Sequence, residues 1–316
     1  SKTEKKSNLP ITSPPKFIDL FCGIGGFRIA MESASAMAGT SSQCVFSSDF
    51  DADAQEMYAS YFGETPVGDI TKVESEEIPD HDLLFAGFPC QAFSIMGQSK
   101  GFEDTRGTLF FDVARILSFH KPKAFVLENV RGLVGHDGGR TLRTIMATLD
   151  ELNYVAEYRV LNALDFGLPQ KRERVVIVGF RREITHSFEW PQPLTSGWTS
   201  LEDVLENDHD VHSSFLASDK IRESRMAAVN GKSVPPGRSI WHENKSGNVS
   251  PLPYSCALRA GASYNYLLVD GIRRLTPREM MRLQGFPEDY DIVVSYQAMR
   301  KLTGNSVPVP MIRSVV

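Results

Sequence analysis

This chain of 316 residues is poor in several things that would direct its reading elsewhere. No apolar run approaches the roughly 20 residues needed to span a bilayer, so no membrane association is expected. The N-terminus has no apolar segment of signal-peptide type. Residues 1–15 read as a flexible polar leader, and the absence of an initiator Met is expected to reflect processing or a cloning boundary. Cysteine is scarce: Cys22, Cys44, Cys90 and Cys256 stand alone, with no CxxC spacing. That excludes a disulfide framework and a zinc site, so no metal is expected and a reduced cytoplasmic compartment fits. The first glycine loop has neither GxGxxG spacing nor a Walker lysine, which turns the reading away from NAD and ATP. No internal repeat is present. An excess of positive charge is missing too, the formal net charge being −5.

Periodicity carries the fold. Residues 16–21, 44–49, 83–86, 123–127, 155–161 and 174–180 read as short buried strands. Residues 27–37, 52–61, 107–119 and 141–152 read as helices. Strands alternating with helices predict an α/β protein, a mostly parallel sheet covered on both faces. Beyond about residue 183 the texture changes to Pro, Gly, Ser and Asn with little periodicity. Residues 16–183 are expected to form one domain, residues 184–272 a smaller irregular one, and residues 273–316 a return to the first. The return is announced by Thr276-Pro277-Arg278-Glu279, a helix start with a Thr cap and Glu three residues later. That helix is expected to end at Gly285-Phe286-Pro287, with a second over residues 297–302. Charge is uneven. Residues 201–220 hold six acids and one Lys, whereas residues 221–282 hold ten Lys or Arg and four acids. One basic face on an acidic body follows, which nucleic acid would accept.

Four motifs carry chemistry. Gly87-Phe88-Pro89-Cys90 ends the apolar run 83–86, placing a thiol at the carboxyl edge of the sheet, where open α/β proteins keep their sites. An isolated Cys is usually a core residue, but one so placed is a candidate nucleophile. Gly23-Ile24-Gly25-Gly26 follows the first strand, and Asp49 ends the next. Glycines admit a ligand close to the backbone and the acid can hold ribose hydroxyls, which points to an adenosyl cofactor. Glu128 ends another strand. It is either satisfied by backbone amides or an acid with a raised pKa that can protonate or grip a ring nitrogen. Gln170-Lys171-Arg172-Glu173-Arg174 precedes a buried strand, so at least one Arg is expected to turn toward the sheet edge.

These motifs, in the order Asp19-Leu20-Phe21-Cys22-Gly23-Ile24-Gly25-Gly26, Gly87-Phe88-Pro89-Cys90-Gln91-Ala92-Phe93-Ser94, Glu128-Asn129-Val130, Gln170-Lys171-Arg172-Glu173-Arg174, Arg274-Leu275-Thr276-Pro277-Arg278-Glu279 and Gly304-Asn305-Ser306-Val307, resemble the cytosine-5 DNA methyltransferases of bacterial restriction–modification systems. The likeness covers roughly residues 16–316. It implies a Rossmann-like sheet that binds S-adenosylmethionine, double-stranded DNA as partner, base flipping, and a target-recognition domain at 184–272. It implies Cys90 as the nucleophile on cytosine C6, Glu128 at N3, and Arg174, with Arg172 beside it, at O2. Phe21, Gly23, Gly25, Gly26, Asp49, Phe50, Asp69, Ile70, Pro89, Asn305 and Ser306 match cofactor positions. Gln91, Ser94, Lys100, Arg106, Arg238, Lys245 and Arg259 are expected on DNA, Arg259 as base reader or phosphate clamp. Residues 90–109, with Gly97, Gly101 and Gly107 as hinges, are expected to be a mobile catalytic loop. The protein is expected to act as a monomer.

Two departures stand out. Asp49 occupies a position that often holds Glu. The chain stops at Val316, where such proteins usually continue with a longer helix, so a shortened C-terminus is expected. An RNA cytosine methyltransferase is the nearest rival, but that branch tends to carry Cys-Phe-Thr where this chain has Ser255-Cys256-Ala257-Leu258-Arg259. A non-catalytic DNA-binding homologue would have lost the Cys, the Glu or the glycine loop. Adenine amino-methyltransferases use an Asn or Asp followed by two prolines and an aromatic, absent at this position.

Overall fold

The computed structural model describes residues 13–91, 93 and 101–316. The first half runs β1 (Lys16–Leu20), α1 (Gly26–Met37), β2 (Gln43–Ser48), α2 (Ala52–Phe62), β3 (Leu83–Gly87), α3 (Leu109–His120), β4 (Ala124–Val130) and α4 (Arg140–Glu151). It continues with β5 (Tyr154–Asn162), β6 (Gln170–Lys171) and β7 (Glu173–Arg181). Then come α5 (Asp219–Ala228), β8 (Ile240–Glu243), β9 (Val249–Leu252), β10 (Ser255–Cys256), β11 (Leu267–Val269), α6 (Pro277–Leu283), α7 (Tyr296–Gly304) and α8 (Val309–Val315).

The main sheet has the order β2-β1-β3-β4-β7-β5. Its first four strands are parallel, and β7 runs antiparallel to both β4 and β5. Successive side chains of a strand face opposite sides, and here each side has its own apolar cluster. Phe17, Phe85, Val126, Val176 and Val178 join α1, α2, α6 and α8 on one face. Ile18, Leu84, Ala86, Phe125, Leu127, Val175 and Ile177 join α3 and α4 on the other. The strands therefore read as continuous apolar runs because both faces are covered.

Local chemistry sets the helix ends. Asp51 and Thr108 accept backbone amides at the starts of α2 and α3. Thr276 and Glu279 form a reciprocal capping box at α6, where the sequence pattern places it. The Glu279 carboxylate also holds Arg273, buried, at 2.8 and 2.9 Å. The C-terminal apolar stretch is a helix, α8, packed on α1.

Residues 184–272 contain an antiparallel three-stranded sheet, β11-β8-β9, and α5. Only a small cluster around Val229, Trp241 and Val249 is separate. Trp190, Leu201, Ile240, Leu258, Tyr266, Leu267 and Val269 belong to the same apolar cluster as α1 and α8. A two-residue parallel pairing of β10 with β6 ties this segment to the main body. No helix among the described residues is long and apolar enough to cross a membrane.

Under the glycine loop lies a buried acid. Asp19 Oδ2 accepts from Tyr58 Oη at 3.2 Å, and its Oδ1 has no partner. Burial pushes its pKa up to about 8, against the lowering effects of Tyr58 and Arg28. The native state thus keeps a proton that an unfolded Asp releases near pH 4, so stability should fall as pH rises from about 4 to about 8, by at most ~1.4 kcal/mol per pH unit. Asp19→Asn should flatten the stability profile over that window relative to the parent protein. Chemical denaturation at stepped pH checks this, and parallel profiles for the two proteins would refute it.

Candidate active site

β1 lies between β2 and β3, and the chain passes first to one side of it and then to the other. At such a switch point the loops beyond the strand ends part and leave a crevice. A cavity of about 490 Å³ opens there, within the range of small-molecule sites. Its wall combines Phe21 and Gly23 after β1, Asp49 and Phe50 after β2, Phe88, Pro89 and Cys90 after β3, Glu128 at the end of β4, Arg172 and Arg174 at β7, and Gly304 and Asn305 after α7.

On one side the lining suits an adenosyl group. Phe21 has a positive φ of 53°, a conformation rare for a large side chain, which turns the chain sharply into the glycine loop. A Cβ built on Gly23 meets nothing within 4 Å, so the backbone there faces open space. Asp49 Oδ2 accepts from the Gly23 amide at 2.8 Å and Oδ1 from the Asp51 amide at 2.9 Å. Each oxygen keeps a lone pair for a hydroxyl donor. Phe50 leaves 72 % of its surface exposed, a large apolar ring without a protein partner to cover it. Asn305 completes this wall, whereas the buried Ser306 lends its carbonyl to Arg172. Gly25 and Gly26 pack against Phe62 and Val307 instead. Asp69 caps its own turn through Thr71, with Ile70 buried beside it, and neither lines the cavity.

On the other side are the reactive groups. Asn129 Nδ2 donates to Phe88 O at 2.9 Å and so holds the Phe-Pro turn that carries Cys90. Burial raises the Cys90 thiol pKa. Glu128 is buried, and Arg174 Nε lies 3.1 Å from its Oε1. Desolvation raises the Glu128 pKa, while Arg174 and then Arg172 pull it back. A Cβ on Gly87 would come within 3.0 Å of Glu128 Oε2, so the neighbouring strand leaves that oxygen room.

The two arginines differ. Arg174 reaches the carboxylate at the cavity wall. Arg172 is 1 % exposed and donates to Leu258 O at 2.7 Å, Gly304 O at 2.7 Å and Ser306 O at 2.8 Å. Sequence alone left both as substrate contacts, since Arg172's carbonyl partners lie 86 to 134 residues away.

The residues expected on DNA are scattered. Gln91 accepts the Leu109 amide at the start of α3. Arg106 pairs with Glu103 on the surface. Arg238 is held between Asp208 at 2.9 Å and Asp270 at 2.7 Å. Lys245 is exposed on the β8–β9 turn, and Arg259 is exposed over the Tyr266 ring. Ser94, Lys100 and Gly97, with the rest of residues 94–100 of the expected loop 90–109, lie outside the described residues.

A parallel-centred α/β sheet with a thiol, a buried carboxylate and an aromatic-lined crevice at its switch point defines a Rossmann-like transferase architecture. The family described as C-5 cytosine-specific DNA methylase matches residues 15–316. The chain is 55 % identical over 299 residues to type II methyltransferase M.NgoBI of Neisseria gonorrhoeae, covering 95 % of this chain and 91 % of that protein. It is 52 % identical to M.HaeII of Haemophilus aegyptius, with the same coverage, and 40 % identical to M.HhaI of Haemophilus parahaemolyticus, covering 95 % and 92 %. Among solved structures, a mutant of Spodoptera frugiperda DNMT2 superposes with a TM-score of 0.71 at 21 % identity, over 95 % of this chain and 97 % of that one. S. pombe Dnmt2 methyltransferase gives 0.67 at 19 %, over 95 % and 96 %. These last two likenesses concern the fold. The chain belongs to the C-5 cytosine-specific DNA methylase family and is a DNA (cytosine-5-)-methyltransferase, with relatives in restriction–modification systems.

Alkylation of Cys90 by iodoacetamide should follow a pH midpoint above that of an unperturbed cysteine, because partial burial disfavours the thiolate. Peptide mapping across pH reads it, and a midpoint below the unperturbed value would mean a nearby cation outweighs desolvation.

Proposed function

We propose that this protein methylates carbon 5 of a cytosine flipped out of a specific double-stranded DNA sequence, with S-adenosylmethionine as donor. The observation that carries the reading is the meeting of Cys90 and the Glu128–Arg174 pair on the wall of one cavity whose other end presents Asp49 and Phe50. Phe21, Gly23, Asp49, Phe50, Pro89 and Asn305 would hold the cofactor, Asp49 at the ribose and the Phe50 ring against the adenine. When bound, S-adenosylmethionine supplies an electrophilic methyl group.

The chain's own residues prepare the acceptor. Carbon 5 of cytosine is a weak nucleophile. The Cys90 thiolate adds to C6, forming an S–C6 bond and moving the C5–C6 electron pair onto C5. Glu128 donates to N3 and so accommodates the charge that addition pushes into the ring. Its raised pKa suits it to hold that proton, while Arg174 keeps the carboxylate oriented and faces O2. After methylation, loss of the C5 proton and expulsion of the Cys90 thiolate restore the aromatic ring. Closing the site over an extrahelical base replaces water with these fixed groups. Residues 184–272 supply the readout of sequence, supported by their basic stretch and their attachment beside the cavity. The enzyme is proposed to act as a monomer in the bacterial cytoplasm.

Duplex DNA carrying 5-fluorocytosine should trap a protein–DNA adduct that survives denaturing electrophoresis, since fluorine blocks loss of the C5 substituent. Cys90→Ser should form none, and an adduct in that variant would overturn the assignment. Bisulfite sequencing of plasmid from expressing cells supplies the site.

Glu128→Gln should retain cofactor binding and lose roughly 10²-fold or more in single-turnover rate, the scale of general acid–base catalysis. In the parent enzyme the rate should fall at alkaline pH as Glu128 loses its proton, above the ordinary glutamate pKa because burial raises it. A variant as fast as the parent would remove Glu128 from the mechanism.

A further inference from the structure

Between residues 184–272 and the returning helices, three guanidiniums interleave with three phenol rings. Arg300 lies 4.3 Å above the Tyr264 ring, and Arg274 sits 5.7 Å from Tyr264 and 5.6 Å from Tyr296. Arg259 lies 5.3 Å above Tyr266. All six line one small hollow over Leu275 and Met280.

The charges here are not balanced. Elsewhere in the same region Arg225 pairs with Glu243, Arg238 with Asp208 and Asp270, and Arg273 with Glu279. Arg259, Arg274 and Arg300 pair with no carboxylate among the described residues. Arg300 donates only to the carbonyls of Ala262 and Ser263, at 2.8 and 3.1 Å. Arg274 donates to Ser214 O, and its Nε is buried without a hydrogen-bond partner. Converging like charges repel, and an unsatisfied buried N–H costs free energy. The rings attract the cations and fix the guanidinium planes, but they supply no hydrogen-bond acceptor in line with that N–H. A tetrahedral oxyanion seated at the mouth of the hollow would answer the first deficit, the uncompensated positive charge.

The hollow is also placed to matter. A Cβ on Gly304 would lie 2.3 Å from Ala260 N, so the Arg259–Ala260 backbone sits directly on a residue that walls the catalytic cavity. The hollow and the cavity wall therefore share a backbone contact.

We propose that Arg259, Arg274 and Arg300, framed by Tyr264, Tyr266 and Tyr296, form a clamp for one backbone phosphate of the DNA substrate. The proposal rests on the DNA-methylating reading above and adds a fixed point between the recognition segment and the catalytic wall. The clamp positions the duplex and reads no base. It assigns Arg259 to the phosphate role, and adds Arg274, quoted above only as the first residue of a motif, and Arg300, which no motif singled out.

The test uses the full chain and an A·T-only duplex, which offers no target cytosine, with anisotropy measured over a series of KCl concentrations. Arg300→Gln and Arg274→Gln should each weaken binding and flatten the plot of log K against log salt by about 0.9, the release expected for one phosphate. Arg300→Lys should keep the slope, since the positive charge stays. The bisulfite-mapped site should stay the same in every variant that methylates. If either Gln variant is unstable by thermal melting, Tyr264→Ala, which removes an exposed ring over two of the cations, should lower affinity with the site unchanged. Unaltered slopes in folded variants would overturn the clamp, as would an altered methylation site. A variant that loses binding of inorganic phosphate while keeping the DNA slope would assign the hollow to a free anion instead. Methylation by the parent protein with no slope change in the variants removes the clamp alone. Clamp-dependent DNA binding without methylation by the parent removes the catalytic reading alone.

Discussion

The buried guanidinium of Arg172 is the interaction on which the site's assembly depends. From just before β7 it donates to Leu258 O within residues 184–272, and to Gly304 O and Ser306 O in the returning segment. Gln170, two residues earlier, adds bonds to the Leu258 amide and to Leu283 O. Three stretches of chain that meet nowhere else in sequence are thereby held at one point. Each carbonyl left without its donor would cost about 1–3 kcal/mol. A lysine could not serve all three, because its donors leave one atom, whereas a guanidinium fans them out in a plane.

Two arginines spaced two apart stand at the start of β7, Arg172 just before it and Arg174 within it, yet they do different things. Arg174 meets Glu128 and moderates a carboxyl whose burial would otherwise carry its pKa higher. Arg172 meets only neutral oxygens and supports the wall behind. Arg174 thus does most to temper Glu128, with Arg172 second, and Arg172 alone holds the frame. Asn129, on the same cavity wall, fixes the Phe88 carbonyl and hence the turn that carries Cys90.

Much of this was legible in the sequence, for physical reasons. The inner strands β1, β3, β4 and β7 are covered on both faces and so read as apolar runs, while the edge strand β5 is largely exposed, and the capping box at Thr276 and Glu279 is a local interaction visible within four residues. The grouping of Phe21, Asp49 and Cys90 followed from each lying just beyond a strand end, and that of Glu128 from its place near the end of the β4 run, Ala124–Val130. What was illegible depended on distant partners. Nothing near Arg172 announces carbonyls more than 80 residues away. The basic stretch after residue 220 looked uniform, but Arg225, Arg238 and Arg273 are neutralised by acids and only part of that charge remains available. Irregular composition likewise hid the β11-β8-β9 sheet, whose strands of three or four residues are too short to show a period.

The apolar cluster that runs without a break from α1 and α8 into residues 184–272 has a consequence for how such a protein changes its target. Ile240, Leu258, Leu267 and Val269 are foundations shared with the main sheet's body, so residues 184–272 do not form a free-standing cassette. Under the proposed reading that these residues supply sequence readout, variation has most freedom in the turns and exposed rims that rise from those positions, such as the β8–β9 turn. A graft that carries over another protein's rim while leaving these foundations and the Leu258 carbonyl in place respects the grain of the molecule. One cut at the ends of the segment does not.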